Sequence, residues 1–172
     1  MRLRVAPGPV HFTDGFAGPQ SFDVDATVGD FLVATKAQLP AYQLAVVIDD
    51  HRAGVTDVIR GDDLLPSTAR QKLVADALGL PPPPRYFHVP LVLGPDGHRL
   101  AKRHGDTRVA AYRALGIAPE RIVGLLAFTC GLTDRPTPWS AADFRDAFDW
   151  KRLPPTPCTL TPEHDAWLRQ TS

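Results

Sequence analysis

Residues 57–93, DVIRGDDLLPSTARQKLVADALGLPPPPRYFHVPLVL, set the architecture. Asp57 to Arg60 is a short β-branched run that stops at Gly61-Asp62-Asp63, which reads as a strand ending in a turn. Pro66 suits a first helical position, where its missing N–H would have had no partner anyway. Ser67 and Thr68 stand in the first turn, and Leu73, Val74, Ala77 and Leu78 share one apolar face of the helix. Gly79 closes that helix, and the prolines at 81–84 forbid its continuation. Residues 86–93 read as the next strand. Strand, helix, strand is the alternation of a parallel sheet with crossovers, so the expected class is α/β. Ligands of such sheets bind beyond the carboxyl ends of the strands. Arg60 and the loop after Leu93 both lie at such ends.

That loop turns at Gly94-Pro95-Asp96-Gly97 and then carries Arg99, Lys102, Arg103 and His104 ahead of Gly105. Several cations on a loop at a strand end can close over a phosphate chain and stabilise charge developing on its oxygens. The same composition also suits a solvated basic turn. Beyond it the pattern is helical: 107–115 ending at Gly116, 119–129 ending at Gly131, and a capping box from Ser140 to Asp143 opening a helix through Phe148. Leu115, Ile122, Leu125, Leu126, Phe128, Phe144 and Phe148 are the expected helical core. The tail from Pro154 is expected to be loose, with Trp167 as its one docking side chain. Upstream, residues 41–48, AYQLAVVI, read as a buried strand stopping at Asp49-Asp50. Residues 1–30 are turn-rich and read as a small β lead-in with strand candidates at 2–5 and, just beyond, 30–33.

Composition narrows the function classes. The chain has 172 residues, 44% of them hydrophobic, enough for one domain or somewhat more. Its net charge is zero, so any nucleic-acid contact must come from a local patch. Two cysteines, Cys130 and Cys158, make neither a disulfide framework nor a zinc site and suit a reducing cytoplasm. No stretch is long and apolar enough to cross a membrane, and no signal-peptide pattern is present. His51, His88 and His98 have no partner visible in the sequence and read as surface or core residues.

AYQLAVVIDDHRAGVTDVIRGDDLLPSTARQ, with RLAKRHGD at 99–106, resembles the second half of a glutamyl-tRNA synthetase catalytic domain of class I. The first motif is similar to that family's tyrosine, paired aspartates and G-[IV]-T-[HD]-V-[IV]-R-G-[AED]-D; the second stands where the family's K-[ML]-S-K-[RS] loop stands. Val46, Leu64-Leu65-Pro66-Ser67-Thr68 and the ending FDWKRLPPTP resemble the short glutamyl-queuosine tRNA(Asp) synthetase branch. The resemblance implies the second half of a Rossmann-type catalytic domain followed by a helical stem-contact region. Residues 1–30 would be a remnant of the inserted acceptor-binding region and 31–106 the half-domain with the signature loop. Residues 107–150 would be helical and 151–172 a loose tail. It implies ATP with Mg²⁺, L-glutamate and tRNA(Asp) as ligands, a cytoplasmic, monomeric enzyme, and transfer of activated glutamate to the queuosine base.

By the same resemblance Tyr42 and Arg60 match the glutamate-binding tyrosine and arginine. An arginine fork can hold a carboxylate bidentately, which fits that role. Read from the residues alone, Tyr42 is equally a core-edge tyrosine, and Arg60 a surface partner of Asp57 or Asp62. Arg99, Leu100, Ala101, Lys102 and Arg103 match the ATP-binding signature loop, with Lys102 as its catalytic lysine. Arg99 keeps the charge of the loop's first lysine, and Ala101 lacks the hydroxyl of its serine. Asp49, Asp50 and Asp63 read as structural or loop-orienting. The family's first half carries an H-[IVLA]-G-[HN] motif that occurs nowhere here, and the branch's zinc site is not supplied by two cysteines after residue 129. The expectation is a fragment, a truncated frame or one half of a split protein, with residues 41–48 as an open strand edge. The alternatives are a truncated glutamyl-tRNA synthetase and a non-catalytic module that binds tRNA or a partner chain.

Overall fold

The structure, a computed structural model, describes residues 1–81, 85–101 and 107–170. The chain divides into two compact units, Met1–Val89 and Pro90–Ser172.

In the first unit Arg2–Leu3 (β1) pairs antiparallel with Phe31–Leu32 (β4). Between them lie the hairpin Pro9–Asp14 (β2) and Gly18–Asp23 (β3) and one helical turn, Val24–Thr27 (α1), capped by the Asp23 carboxylate. This lead-in shares the core of the unit. Val5, Val24, Phe31 and Val33 are buried with Ala69 and Val74, and Val10, Phe12 and Phe22 pack against them.

Residues 41–48 do not form a strand. Tyr42–Ala53 is a twelve-residue helix (α2). The β-branched run Val46-Val47-Ile48 suggests a strand, but the segment continues through Asp-Asp-His-Arg-Ala, too long for one. Leu44 and Val47, three residues apart, pack on the core, while Asp49 falls on the exposed face. Gly54 ends the helix at φ 67°, with its N–H on the Asp50 and His51 carbonyls. The expected open edge at 41–48 is therefore absent.

Asp57–Gly61 (β5) and Arg85–Val89 (β6) are parallel, from Asp57 opposite Arg85 to Gly61 opposite Val89. Leu65–Ala77 (α3) crosses between them with Pro66 in its first turn, as the sequence predicts. The edge of β6 away from β5 is covered by the β2–β3 turn, where Gly15 N–H donates to the Tyr86 carbonyl at 2.7 Å. Among the described residues β5 pairs only with β6, and its Ile59 is 59% exposed. The strand expected over 86–93 is broken at Pro90, which has no N–H to give a ladder.

In the second unit Val92–Leu93 (β7) pairs in parallel with Cys158–Thr159 (β8). The Gly94–Gly97 turn forms as predicted: Leu93 bridges Arg99, and Leu100 N–H returns to the Val92 carbonyl at 2.9 Å. Val109–Ala114 (α4), Pro119–Thr129 (α5) and Ala141–Ala147 (α6) occupy the predicted helical region, α6 capped by Ser140. Its core is Tyr112, Leu125 and Leu168, with Ile122 and Phe128 beside them. Leu115 and Leu126 are exposed, contrary to expectation.

The tail is not loose. Pro162–Arg169 (α7) has a reciprocal capping box between Thr161 and His164. Arg121 stacks over Trp167 at 4.3 Å and bonds the Trp167 and Leu168 carbonyls. Tyr112 O–H donates to Asp165 at 2.8 Å. No helix among the described residues is long and apolar enough to cross a membrane.

Candidate functional site

Arg60 is the next-to-last residue of β5, directly opposite His88 on β6. The parallel register puts both side chains on the sheet face that α3 covers. One helical turn of α3 presents Thr68 and Gln71, three residues apart, toward them. Arg60 Nε donates to His88 Nε2 at 2.9 Å, and Nη2 donates to Thr68 Oγ1 at 2.7 Å and to Gln71 Oε1 at 2.9 Å. The guanidinium also lies 5.3 Å from the centre of the Tyr86 ring. Gln71 passes the chain of bonds to α2, its Nε2 donating to Gln43 Oε1 at 3.0 Å.

Behind His88 stands Asp14, the last residue of β2. Its Oδ2 is 2.6 Å from His88 Nδ1. Its Oδ1 accepts the backbone N–H groups of Phe16, Ala17 and His88 at 3.0, 2.8 and 3.1 Å. Asp14, Thr68, Gln71 and His88 are each at most 2% exposed. Burial alone would push the Asp14 carboxyl up. The Ala17 N–H, the His88 ring and the other backbone donors outweigh it and hold the group below the ordinary carboxylate value. Burial pushes the Tyr86 phenol up despite the nearby Arg60 charge.

Three of the five guanidinium N–H donors are thus committed to His88, Thr68 and Gln71. Among the described residues Nη1 has no hydrogen-bond partner. The arrangement is a cation held by three side-chain acceptors, with no carboxylate touching it among the described residues. It can take an anionic oxygen from a ligand on Nη1; a grip through both terminal nitrogens would require Nη2 to give up a protein acceptor.

Arg60 is not paired with Asp57, which instead bridges Arg85 at 2.8 Å. Tyr42 opens α2 and is 55% exposed, next to Gln43 at the far end of the same chain of bonds. Asp50 and His51 line a cavity of about 330 Å³ together with Thr56, Gln71 and Tyr86, while Asp49 is exposed. Of the residues expected to form a signature loop, Arg99 and Leu100 lie on the returning arm of the 94–97 turn and Ala101 follows it. Lys102 and Arg103 lie outside the described residues. Burial pushes the Cys130 and Cys158 thiols up, so neither is an activated nucleophile at neutral pH.

Sequence reasoning missed His88 and Asp14. His88 is two residues after Tyr86 on a strand, hence on the same face, and a register pairing Asp57 with Arg85 puts it beside Arg60. Asp14 is 74 positions away, and nothing local announces the contact.

Comparison with known proteins agrees with this architecture. The family model "tRNA synthetases class I (E and Q), catalytic domain" matches residues 1–150. The glutamyl-Q tRNA(Asp) synthetase of Symbiobacterium thermophilum is 47% identical over 168 residues, covering 98% of this chain and 51% of that protein. Glutamate–tRNA ligase 1 of Campylobacter hominis is 35% identical over 161 residues, covering 94% of this chain and 35% of that protein. A crystal structure of the Elizabethkingia meningosepticum glutamate tRNA ligase in complex with its amino acid superposes with a TM-score of 0.77 at 26% identity. It covers 97% of this chain and 37% of that one. The chain spans about half the length of the glutamyl-Q relatives it matches. A strand–helix–strand crossover with an arginine fixed at the strand end, and a family match over 150 residues, place the chain among the class I tRNA synthetases of the E and Q catalytic-domain family.

Proposed function

We propose that this chain carries the second half of a glutamyl-Q tRNA(Asp) synthetase catalytic domain. The complete enzyme would activate L-glutamate with ATP and transfer it to the queuosine base of tRNA(Asp) in the cytoplasm. The observation that carries the reading is the Arg60 cradle, a fixed cation at a strand end with donors to spare for a carboxylate. Supporting it, several relatives at 41–47% identity over most of this chain bear the glutamyl-Q name.

In this reading Arg60 and Tyr42 bind the amino acid, and the chain's own charges assist the phosphate chemistry. The glutamate α-carboxylate attacks the α-phosphorus of ATP, and the bond to pyrophosphate breaks. Arg99, Lys102 and Arg103 neutralise the charge that gathers on the departing oxygens. Mg²⁺ would enter with the ATP phosphates, as is usual for that ion. A hydroxyl of the queuosine ring then attacks the acyl carbon of glutamyl-adenylate and releases AMP. Residues 1–30 belong with the acceptor-binding region, 31–106 with the catalytic half-domain and 107–150 with the stem-contact helices. Residues 151–172 form the C-terminal segment.

The test is ATP–pyrophosphate exchange with glutamate, by this chain alone and supplemented with the first half of the Symbiobacterium thermophilum relative. Lys102→Ala is expected to lower the exchange rate by about 100-fold, the scale of one transition-state cation; unchanged exchange removes the loop from the mechanism. The glutamate–tRNA ligase relatives favour a second reading, a glutamyl-tRNA synthetase half-domain. Transfer to tRNA(Glu) in place of tRNA(Asp) by the supplemented chain would establish it.

A further inference from the structure

An arginine Nε can only donate a hydrogen bond, so His88 Nε2, 2.9 Å away, must accept. Nε2 then carries no proton, and the ring proton sits on Nδ1, facing Asp14 Oδ2 at 2.6 Å. Thr68 is compatible with the same assignment: its Oγ1 accepts from Arg60 Nη2 and lies 3.3 Å from Nε2. The three backbone N–H groups on Oδ1 favour the ionised carboxylate, so Oδ2 faces Nδ1 as an acceptor. The carboxylate therefore selects one tautomer of a buried imidazole, and that tautomer offers its lone pair to the guanidinium.

We infer that Asp14 and His88 are positioning residues. Asp14 fixes His88 as the Nδ1–H tautomer, whose Nε2 anchors the Arg60 guanidinium so that Nη1 is left for a ligand carboxylate. The ligand part of this statement rests on the function proposed above; the tautomer and the anchor do not. Reversing the tautomer would set an Nε2–H against the Arg60 Nε–H, donor against donor, and Arg60 would leave its seat. The groups around the ring are Asp14 from β2, Arg60 from β5, Thr68 from α3 and Tyr86 on its own strand.

Asp14→Asn is the discriminating variant. Its side-chain oxygen can keep the backbone N–H groups while its amide donates to His88 Nδ1, driving the proton to Nε2. ¹⁵N NMR of the imidazole and of the Arg60 Nε–H in this chain reads the result without any ligand. The wild type is expected to show a neutral His88 protonated on Nδ1 and a slowly exchanging Arg60 Nε–H. Asp14→Asn should move the proton to Nε2 and speed Arg60 exchange at least tenfold. Adding His88→Gln to Asp14→Asn, which brings an amide oxygen able to face Arg60 in either case, should restore slow exchange. In the supplemented exchange assay the glutamate KM should rise about tenfold in Asp14→Asn with kcat little changed, and recover in the double variant.

A wild-type His88 protonated on Nε2 at neutral pH overturns the inference even if no variant folds. The correct tautomer with an unchanged KM in Asp14→Asn overturns the positioning role. The expected spectra with no glutamate-dependent exchange by the supplemented wild type leave the anchor standing and reject the proposed function and the carboxylate role together.

Discussion

Asp14 shows how much one carboxylate can organise. It accepts four hydrogen bonds, one of them from the imidazole that holds Arg60. Removing it as Asp14→Ala leaves a buried ring N–H and three backbone donors without partners, expected to cost about 3 kcal/mol in urea unfolding. Its carboxyl lies below the ordinary value in the folded chain. The stability it contributes is therefore complete above the unfolded-state value of about 4 and is lost as pH falls through the folded one. Unfolding free energy measured from pH 7 downward should fall less steeply in Asp14→Asn than in the wild type; parallel slopes would mean the carboxyl is not held low. Beside it, a Cβ on Gly15 would stand 2.2 Å from the Phe87 ring. Gly15→Ala should thus destabilise by about 1–3 kcal/mol in thermal melting. An unchanged melt would show that the β2–β3 turn does not close on β6 as described. None of this was legible in the sequence beyond a turn-rich lead-in, because His88 and Phe87, which Asp14 and Gly15 meet on β6, are more than 70 positions away.

Among the elements, the strand–helix–strand crossover was legible, since Pro66, the Leu73–Val74 face and Gly79 are local signals. The Arg60 position at its carboxyl end followed from the same reading. The 41–48 segment was not: three β-branched residues in a row outweighed the spacing of Leu44 and Val47 and the helix-closing Gly54. The tail was misjudged for a different reason. Its anchors, Tyr112 and Arg121, lie on other helices, so the amphipathic run at 162–169 has no visible partner until the chain folds. Leu168 is 2% exposed in the core of the second unit. Leu168→Ala should cost about 2–5 kcal/mol there. Removal of residues 154–172 should broaden the amide spectrum of α4 and α5; an unperturbed spectrum would return the tail to the loose segment that its proline content suggests.

For the molecule as a whole, the first unit carries the Arg60 cradle and the second carries Arg99, Leu100 and Ala101, the described part of the expected loop. The sequence singled out Arg60 and residues 99–103 by resemblance, whereas the bonds that immobilise Arg60 emerge only from strand register and helix packing. β5, whose described partner is β6 alone, leaves Ile59 exposed on its surface. Whether Arg60 is the carboxylate-binding cation of a glutamate-activating site is decided by glutamate-dependent ATP–pyrophosphate exchange without tRNA. The measurement compares wild type with Arg60→Gln in the chain supplemented by the relative's first half. Exchange is expected in the wild type, with a glutamate KM raised about 100-fold in Arg60→Gln, the worth of a charged hydrogen bond. Equal KM values in the two proteins would take the carboxylate away from Arg60.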